Sequence, residues 1–368
     1  MNKLNKIITI VISIIILVFT FLFVFSDKLA YSDNEFRYLE KWPKFTFASL
    51  KNGKYIEGLE NYFTDHFPYR ENFVKARTNF LLLINQKLIN GVYIASDVFL
   101  IQQFNKPQNS DYIVEILNNF YENNSDLEMQ ILIAPTSSSI NSSLLPNNSI
   151  NYDEKAAIEY YYEKLKMKKI NVYDILYKNK DKYDLFYKMD HHWTTYGAYF
   201  AYLEYCNQNN IVPYNLDDFE IEKVSDRFYG TLYSKVFYEE ESDVIYAFNL
   251  KNSDFTVKYL DKDVNSLYND EYLNTKDKYS YFLGGNHPIV EIINNNATND
   301  DELLIIKDSY ANVFSTLIAN NYKKIHIIDP RYYNLKISDY IKEKEIKKIL
   351  ILYNINTIDT DTGITNIR

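Results

Sequence analysis

Two short motifs contain residues whose types and spacing suit nucleophilic catalysis. The first is Asp190-His191-His192-Trp193-Thr194, which places two of the five histidines of this 368-residue chain beside a carboxylate. The second is Lys307-Asp308-Ser309-Tyr310, far downstream. At neutral pH a hydroxyl nucleophile needs a base, and that base needs an acid to orient it. We therefore interpret Ser309 as a nucleophile, His192 as its general base and Asp190 as the orienting residue.

The spacing of Asp190 and His192 fits this division of roles. Residues two apart point the same way on an extended segment, so Asp190 can accept the Nδ1 proton of His192 and leave Nε2 free as the base. His191 is then expected to point the other way. Two alternatives stay open. One is a metal site, since both residue types bind metals, although no metal-binding spacing is present. The other is a pair that only packs.

Ser309 lies where a strand is expected to lead directly into a helix. The apolar run at 303–306 predicts a buried strand, and the apolar periodicity of 311–319 predicts a helix. In doubly wound α/β folds the carboxyl ends of strands line the active crevice. There the Ser309 N–H and the start of the helix would stabilise a developing negative charge. The alternative is that Asp308 or Ser309 only caps the helix.

A glycine pair marks a third candidate segment, Gly284-Gly285-Asn286-His287-Pro288. Glycines permit unusual backbone dihedral angles and the close approach of a ligand. We expect the Gly285 N–H and the Asn286 side chain to donate to an oxyanion, together with Ser309. The alternative is a tight turn that precedes a strand.

The elements that must position these residues alternate along the chain. Apolar strand-like runs separated by amphipathic helical segments predict a mainly parallel sheet covered on both faces. The runs that predict strands lie at 129–134, 303–306, 325–328 and 349–353. Residues 213–280 break the alternation and predict a small β insertion. We therefore divide the chain into an anchor at 1–26, a helical lead-in with short strands at 27–110, and a catalytic domain at 111–368 that contains the insertion.

Residues 7–25 form an apolar run, which as a helix would span roughly 28 Å, about one bilayer core. Lys3 and Lys6 precede the run, and we expect them to hold the short N-terminus in the cytoplasm. The chain is then a single-pass protein of the cell membrane whose remaining residues face outward. A cleaved signal peptide is the alternative, although this apolar core is long for one.

Composition excludes several functional classes. The net charge of −9 and the lack of a basic stripe give nucleic-acid binding little electrostatic support. Cys206 is the only cysteine, so the sequence has no disulfide framework and no cysteine metal cluster. The hydrophobic fraction of 46% is ample for a large core.

Taken together and in this order, the motifs resemble those of the DHHW protein family, which is related to the SGNH-hydrolase-like acetyltransferases of alginate O-acetylation. The motifs that carry the resemblance are Asn90-Gly91-Val92-Tyr93-Ile94, Asp190-His191-His192-Trp193-Thr194, Phe282-Leu283-Gly284-Gly285-Asn286, Lys307-Asp308-Ser309-Tyr310-Ala311-Asn312 and Asp329-Pro330-Arg331-Tyr332-Tyr333. The resemblance covers nearly all of the chain from about residue 30. It implies an α/β fold, an SGNH-hydrolase-like three-layer α/β/α domain, with Asp190, His192 and Ser309 as the triad. The chain departs from the SGNH pattern at one position: Lys307-Asp308-Ser309 replaces the usual Gly-Asp-Ser.

The resemblance also implies a function. Together with the apolar run at 7–25, it points to a membrane-anchored, extracytoplasmic serine O-acetyltransferase that acts on a cell-envelope or exported polysaccharide. A membrane-bound O-acyltransferase would be the partner that supplies acetyl groups, and neither a cofactor nor a metal is expected. Two alternatives stay open. One is a carbohydrate acetylesterase that uses the same triad, and the other is a catalytically silent protein of envelope assembly or glycan binding.

Overall fold

The computed structural model describes residues 3–32, 37–238 and 241–367. The chain forms two compact units. The first comprises Met1–Gln86 with Ser234–Tyr238, and the second comprises Lys87–Tyr233 and Glu239–Arg368. Nearly all of the predicted catalytic domain falls within the second unit, whereas the division at residue 110 stays a prediction.

The first unit is mainly helical. Its elements are α1 (Lys3–Phe25), β1 (Tyr31–Ser32), β2 (Arg37–Tyr38), α2 (Phe47–Lys51), α3 (Lys54–Asp65) and α4 (Arg70–Leu83). The apolar run near the N-terminus is a single helix of 23 residues with no buried side chain. Among the residues that the structure describes, α1 is the one helix long and apolar enough to cross a membrane.

The second unit is an α/β domain. Its strands are β3 (Leu88–Ile89), β4 (Val92–Ile94), β5 (Leu100–Gln102), β6 (Glu128–Ala134), β7 (Lys168–Ile170), β8 (Phe219–Phe228), β9 (Asp243–Leu250), β10 (Phe255–Lys258), β11 (Asp263–Val264), β12 (Ile289–Asn294), β13 (Glu302–Lys307), β14 (Lys324–Ile328) and β15 (Lys348–Asn354). Its α-helices are α5 (Ser110–Asn123), α6 (Ser137–Ile140), α7 (Glu154–Lys164), α8 (Tyr173–Asn179), α9 (Thr195–Gln208), α10 (Thr231–Val236, which ends in residues of the first unit), α11 (Ala311–Ile318), α12 (Ile337–Glu343) and α13 (Ile355–Thr360).

An eight-stranded sheet forms the centre of the second unit, in the order β11-β10-β12-β14-β13-β15-β6-β7. The five strands from β14 to β7 are parallel, and β12, β10 and β11 extend the sheet by antiparallel pairing. This confirms the expected mixed α/β fold with a mainly parallel sheet. The region predicted as a β insertion divides in two: β8 and β9 pair as a separate antiparallel sheet, whereas β10 and β11 join the central sheet.

Alternate side chains of the central strands enter two different cores. Leu303 and Ile305 of β13 belong to the core on one face of the sheet, and Leu304 and Ile306 belong to the core on the other face. Strand side chains alternate between faces, so a strand covered on both sides is expected to be apolar at nearly every position. Helices α9 and α11 cover the first face and α5, α7, α12 and α13 cover the second, which gives three layers.

The sheet direction gathers the candidate residues at one edge. The carboxyl ends of parallel β13, β14 and β15 lie at the same edge, where α/β enzymes place their ligands. Because β12 is antiparallel to β14, the glycine-containing segment that precedes β12 reaches this edge too. Ser309 and Asn286 are thereby brought to one side of the domain from separate parts of the chain.

The two-sided burial of β15 predicts that two isoleucine-to-alanine substitutions in the second unit destabilise the protein to very different extents. Ile351 of β15 is fully buried, whereas Ile221 of β8 is 36% exposed. Ile351→Ala should lower the free energy of unfolding by about 2–5 kcal/mol, because it removes apolar contacts and leaves a cavity. Ile221→Ala, the matched control, should cost less than about 1 kcal/mol. Urea unfolding followed by tryptophan fluorescence measures both, and equal losses would contradict the layered core.

Candidate active site

Asp190, His192 and Ser309 form one hydrogen-bonded chain. The Nε2 atom of His192 lies 2.7 Å from Ser309 Oγ, and its Nδ1 atom lies 2.5 Å from Asp190 Oδ1. A carboxylate only accepts hydrogen bonds, so Nδ1 carries the hydrogen and Nε2 offers its lone pair to the serine hydroxyl. The structure thus brings together the three residues that the sequence predicted, within the reach that proton transfer requires.

Both oxygens of the buried Asp190 side chain are saturated with hydrogen bonds. Oδ1 also accepts from the His192 backbone N–H at 3.0 Å, and Oδ2 accepts from the Thr231 N–H at 2.7 Å and its hydroxyl at 3.0 Å. Burial alone would raise the pKa of Asp190. Electrostatic attraction to His192 and His191, together with these hydrogen bonds, outweighs burial and holds that pKa well below its ordinary value. Asp190 therefore stays ionised and orients the base.

His191 does not face Ser309, as the alternation along an extended segment predicted. Its Nδ1 atom lies 2.6 Å from the Thr231 hydroxyl, and its ring lies beside that of His192 with 3.8 Å between centroids. Because the single hydroxyl hydrogen of Thr231 points to Asp190, His191 Nδ1 must be the donor in that contact. His191 thus helps to hold Asp190 through Thr231.

Hydrogen bonds to Asp190 compete with the alternative interpretation of this segment as a metal site. Asp190, His191 and His192 each place a possible ligand atom within 4.8 Å of the others. However, Nδ1 of His192 is directed at Asp190, and four hydrogen bonds already occupy the two oxygens of Asp190. A metal would have to displace these donors, so the arrangement favours the catalytic interpretation.

Direct hydrogen bonds join the two sequence motifs. The indole N–H of Trp193 donates to the Tyr310 carbonyl at 2.9 Å, and the Tyr310 hydroxyl donates to the His191 carbonyl at 2.5 Å. Thr194 caps α9 by accepting from the Gly197 N–H at 3.3 Å. Trp193 and the His191 carbonyl therefore fix the register between base and nucleophile, and Thr194 fixes the start of the helix that follows.

Ser309 lies in the turn between β13 and α11 and does not cap the helix. Its hydroxyl faces His192, and α11 begins at Ala311 without a side-chain cap. Asp308 anchors this turn, because it accepts from the Tyr310 N–H at 2.9 Å and from the Asn354 N–H at 2.8 Å. Burial raises the pKa of Asp308 to about 6. The Ser309 N–H donates to no acceptor among the described residues, so it remains available to an oxyanion.

Tyr279 contacts both base and nucleophile, and sequence reasoning missed it. Its ring stacks on the His192 imidazole with centroids 3.7 Å apart and planes 10° apart, and its hydroxyl donates to the Ser309 carbonyl at 3.1 Å. One tyrosine among 36 carries no spacing signal of its own. Its proximity to the glycine-containing segment was the only available clue.

The segment expected to hold an oxyanion forms a tight turn that requires glycine. Gly284 and Gly285 have φ angles of 64° and 88°, and an added Cβ at Gly285 would approach Ser280 Oγ to 2.7 Å. The Gly285 N–H donates to the Phe282 carbonyl at 3.1 Å, so the turn itself uses this donor. The exposed Asn286 amide follows directly and becomes the candidate donor of the segment.

Comparisons with known proteins agree with this architecture. The sequence model of the family described as DHHW protein matches residues 35–134 and 103–328. A DHHW family protein from Eubacterium siraeum has the same fold, with 24% sequence identity, a TM-score of 0.67, and coverage of 76% of this chain and 96% of that chain. Bacillus cereus PatB1, seen with a sulfonyl adduct, gives 21% identity, a TM-score of 0.62 and coverage of 75% and 98%. A comparison with curated proteins finds no match.

The close approach of Gly230 to Asp190 predicts a sensitive substitution. A Cβ at Gly230 would overlap the Asp190 carboxylate, so Gly230→Ala must displace the residue that orients His192. We expect Ser309 to react with a fluorophosphonate probe about 10²-fold more slowly, because base activation is lost. Gly91→Ala is the control: its φ of 74° disfavours alanine, but no atom lies within 4 Å of the added Cβ and Asp190 is not displaced, so the labelling rate should stay near that of the wild type. Equal labelling rates in Gly230→Ala and the wild type would contradict this role of Gly230.

Proposed function

The chain belongs to the DHHW protein family, and from this premise we propose that it is a membrane-anchored serine O-acetyltransferase that acts on a polysaccharide of the cell envelope. The observation that carries the proposal is the hydrogen-bonded chain of Asp190, His192 and Ser309, with contacts of 2.5 and 2.7 Å. Acyl transfer needs a nucleophile, a base and an orienting acid within this reach. A silent relative whose geometry had decayed would not need to preserve these contacts.

In the first half of the reaction, Ser309 takes the acetyl group. Its Oγ atom attacks the carbonyl carbon of an acetyl donor while His192 Nε2 accepts the hydroxyl proton. The tetrahedral intermediate collapses, the bond to the donor oxygen breaks, and His192 returns the proton to that oxygen. Ser309 is left as an acetyl ester. Asp190 stabilises the imidazolium that forms in between.

In the second half, a sugar hydroxyl accepts the acetyl group. His192 removes the proton of that hydroxyl as its oxygen attacks the ester carbonyl, and the proton then returns to Ser309 Oγ as the acetyl–serine bond breaks. The negative carbonyl oxygen of both intermediates is held by the Ser309 N–H and by the Asn286 amide. Gly285 shapes the turn that presents Asn286.

The esterase alternative uses the same residues, with water in place of the sugar. Helix α1 favours transfer, because a membrane anchor would hold the site beside a membrane partner. A membrane-bound O-acyltransferase could deliver acetyl groups there from the cytoplasm, where activated acyl donors are made. A diffusing esterase would gain little from such an anchor.

We expect the full chain in detergent to transfer acetyl groups from p-nitrophenyl acetate to oligosaccharides. Ser309→Ala should reduce acetylated product to background, because the nucleophile is lost. Ser315→Ala is the matched control. It removes from α11 a buried hydroxyl that has no hydrogen-bond partner among the described residues, and it should leave activity near the wild-type level.

Mass spectrometry of the sugars measures this transfer. If the wild type releases only acetate, and removes acetyl groups from acetylated glycans faster than it adds them, the esterase alternative is correct. If Ser309→Ala retains full activity, the proposed nucleophile is wrong.

The proposed topology, with α1 spanning the membrane and residues 27–368 outside the cytoplasm, predicts which cysteines a membrane-impermeant maleimide labels. Cys206 is buried and should give little background. Val212→Cys, at a position 85% exposed, should be labelled in intact cells, whereas Lys3→Cys should react only after lysis. The opposite pattern would show that the second unit faces the cytoplasm.

A further inference from the structure

The lysine that directly precedes the nucleophile turn is buried. The side chain of Lys307 is 2% exposed, and its ammonium group lies 2.7 Å from Asn286 Oδ1, 2.7 Å from Asn312 Oδ1 and 3.3 Å from Asp329 Oδ2. A buried ammonium is costly unless it is paired and hydrogen-bonded, and here three acceptors surround it. The proposed reaction assigns no role to this group.

Asp329 and Arg331 make the burial of this charge possible. Arg331 donates two hydrogen bonds to the Asp329 carboxylate, one from Nε at 2.8 Å and one from Nη2 at 2.6 Å. Burial would raise the pKa of Asp329, but Arg331 and Lys307 hold it below its ordinary value. Burial lowers the pKa of Lys307 to about 8, against the opposing charge of Asp329. At neutral pH the ammonium form prevails, and this form only donates hydrogen bonds.

This chemistry fixes the orientation of the Asn286 amide. Because Lys307 can only donate, the oxygen of Asn286 must face it, and the same oxygen also accepts from Asn312 Nδ2 at 3.2 Å. The Asn286 NH2 group is therefore turned away from the cluster. It has no acceptor among the described residues, and the side chain is exposed. The amide cannot flip without bringing its NH2 group against an ammonium and a second donor.

The same contacts tie Asn286 to the nucleophile from both sides. Lys307 stands two residues before Ser309 and Asn312 stands three residues after it, and both bond to the Asn286 oxygen. The backbone N–H of Asp329 also donates to the Pro288 carbonyl at 3.2 Å, which fixes the end of the glycine-containing segment. Three separate parts of the chain thus hold one amide beside the Ser309 turn.

We propose that Lys307 is a positioning residue for the oxyanion hole: its ammonium group orients the Asn286 amide so that the NH2 group donates to the acyl oxygen. This inference rests on the proposed acyl-transfer function. The proposed role explains why a lysine stands where the Gly-Asp-Ser pattern has its glycine. It also explains the presence of the Asp329-Pro330-Arg331 sequence, which stabilises the buried ammonium group. Lys307 acts only through Asn286.

A double-mutant cycle on the full chain tests this pathway, with kcat and KM for p-nitrophenyl acetate as the readout. Lys307→Met leaves Asp329 paired with Arg331, so no buried carboxylate is left alone. Asn286→Ala should lower kcat by about 10²- to 10³-fold, the usual loss for one oxyanion donor. Lys307→Met should lower kcat at least about 10-fold with KM nearly unchanged, because the amide is no longer locked.

The double variant should be no slower than Asn286→Ala alone, within about twofold, since Lys307 has nothing left to position. Lys348→Met is the matched control, because it removes a lysine paired with Asp301 at the opposite end of the sheet. It should keep wild-type kcat. Losses that multiply in the double variant, or a Lys307→Met variant as active as the wild type, would overturn the proposal.

Asn286→Asp gives a second test that leaves Lys307 in place. The new carboxylate still offers an oxygen to Lys307 but turns a second oxygen towards the oxyanion, so kcat should fall below that of Asn286→Ala. An Asn286→Asp variant with wild-type kcat would overturn the proposal even if Lys307→Met failed to fold. The proposed function fails separately, if Ser309→Ala retains activity.

Discussion

The contact between His192 Nε2 and Ser309 Oγ spans 2.7 Å in space and 117 residues in the chain. The sheet and several contacts around the site hold these two atoms in register. The parallel sheet brings the carboxyl end of β13 to the edge where the extended segment of the first motif lies. Trp193 and Tyr310 bond across the two segments, and Tyr279 stacks on the base while it bonds to the nucleophile's carbonyl. Together these contacts limit how far the hydroxyl can move from its base.

The site concentrates buried charge, and each charge has a partner. Asp190 accepts four hydrogen bonds, Asp308 anchors the turn to β15, and Lys307 lies among three acceptors. An unpaired charge in such surroundings would cost several kcal/mol, so these networks tolerate few alternative arrangements. The same burial strengthens the hydrogen bonds of Lys307 and Asp308, which hold the two proposed oxyanion donors in place.

Much of the fold followed from the sequence because the interior runs of its central strands are almost entirely apolar. Runs at 303–306 and 349–353 became β13 and β15, since two-sided burial leaves no polar residue to confuse the pattern. Asp190, His192 and Ser309 could be found because few residue types perform their chemistry. Tyr279 and Gly230 could not, because their roles exist only through contacts with distant segments. The resemblance marked Asp329, but its contact with Lys307 could not be predicted for the same reason. The pairing of β10 with β12 was missed for the same reason, since the partner of an edge strand is a tertiary choice.

An intermediate trapped on Ser309 would test the central claim most directly. The full chain is mixed with p-nitrophenyl acetate, quenched with acid within the first turnover, digested and examined by mass spectrometry. The account predicts one acetyl group on the peptide that contains Ser309, and almost none when His192 is replaced by alanine, because the hydroxyl then lacks its base. Product formation without any acetyl group on Ser309, or with the acetyl group on another side chain, would contradict it.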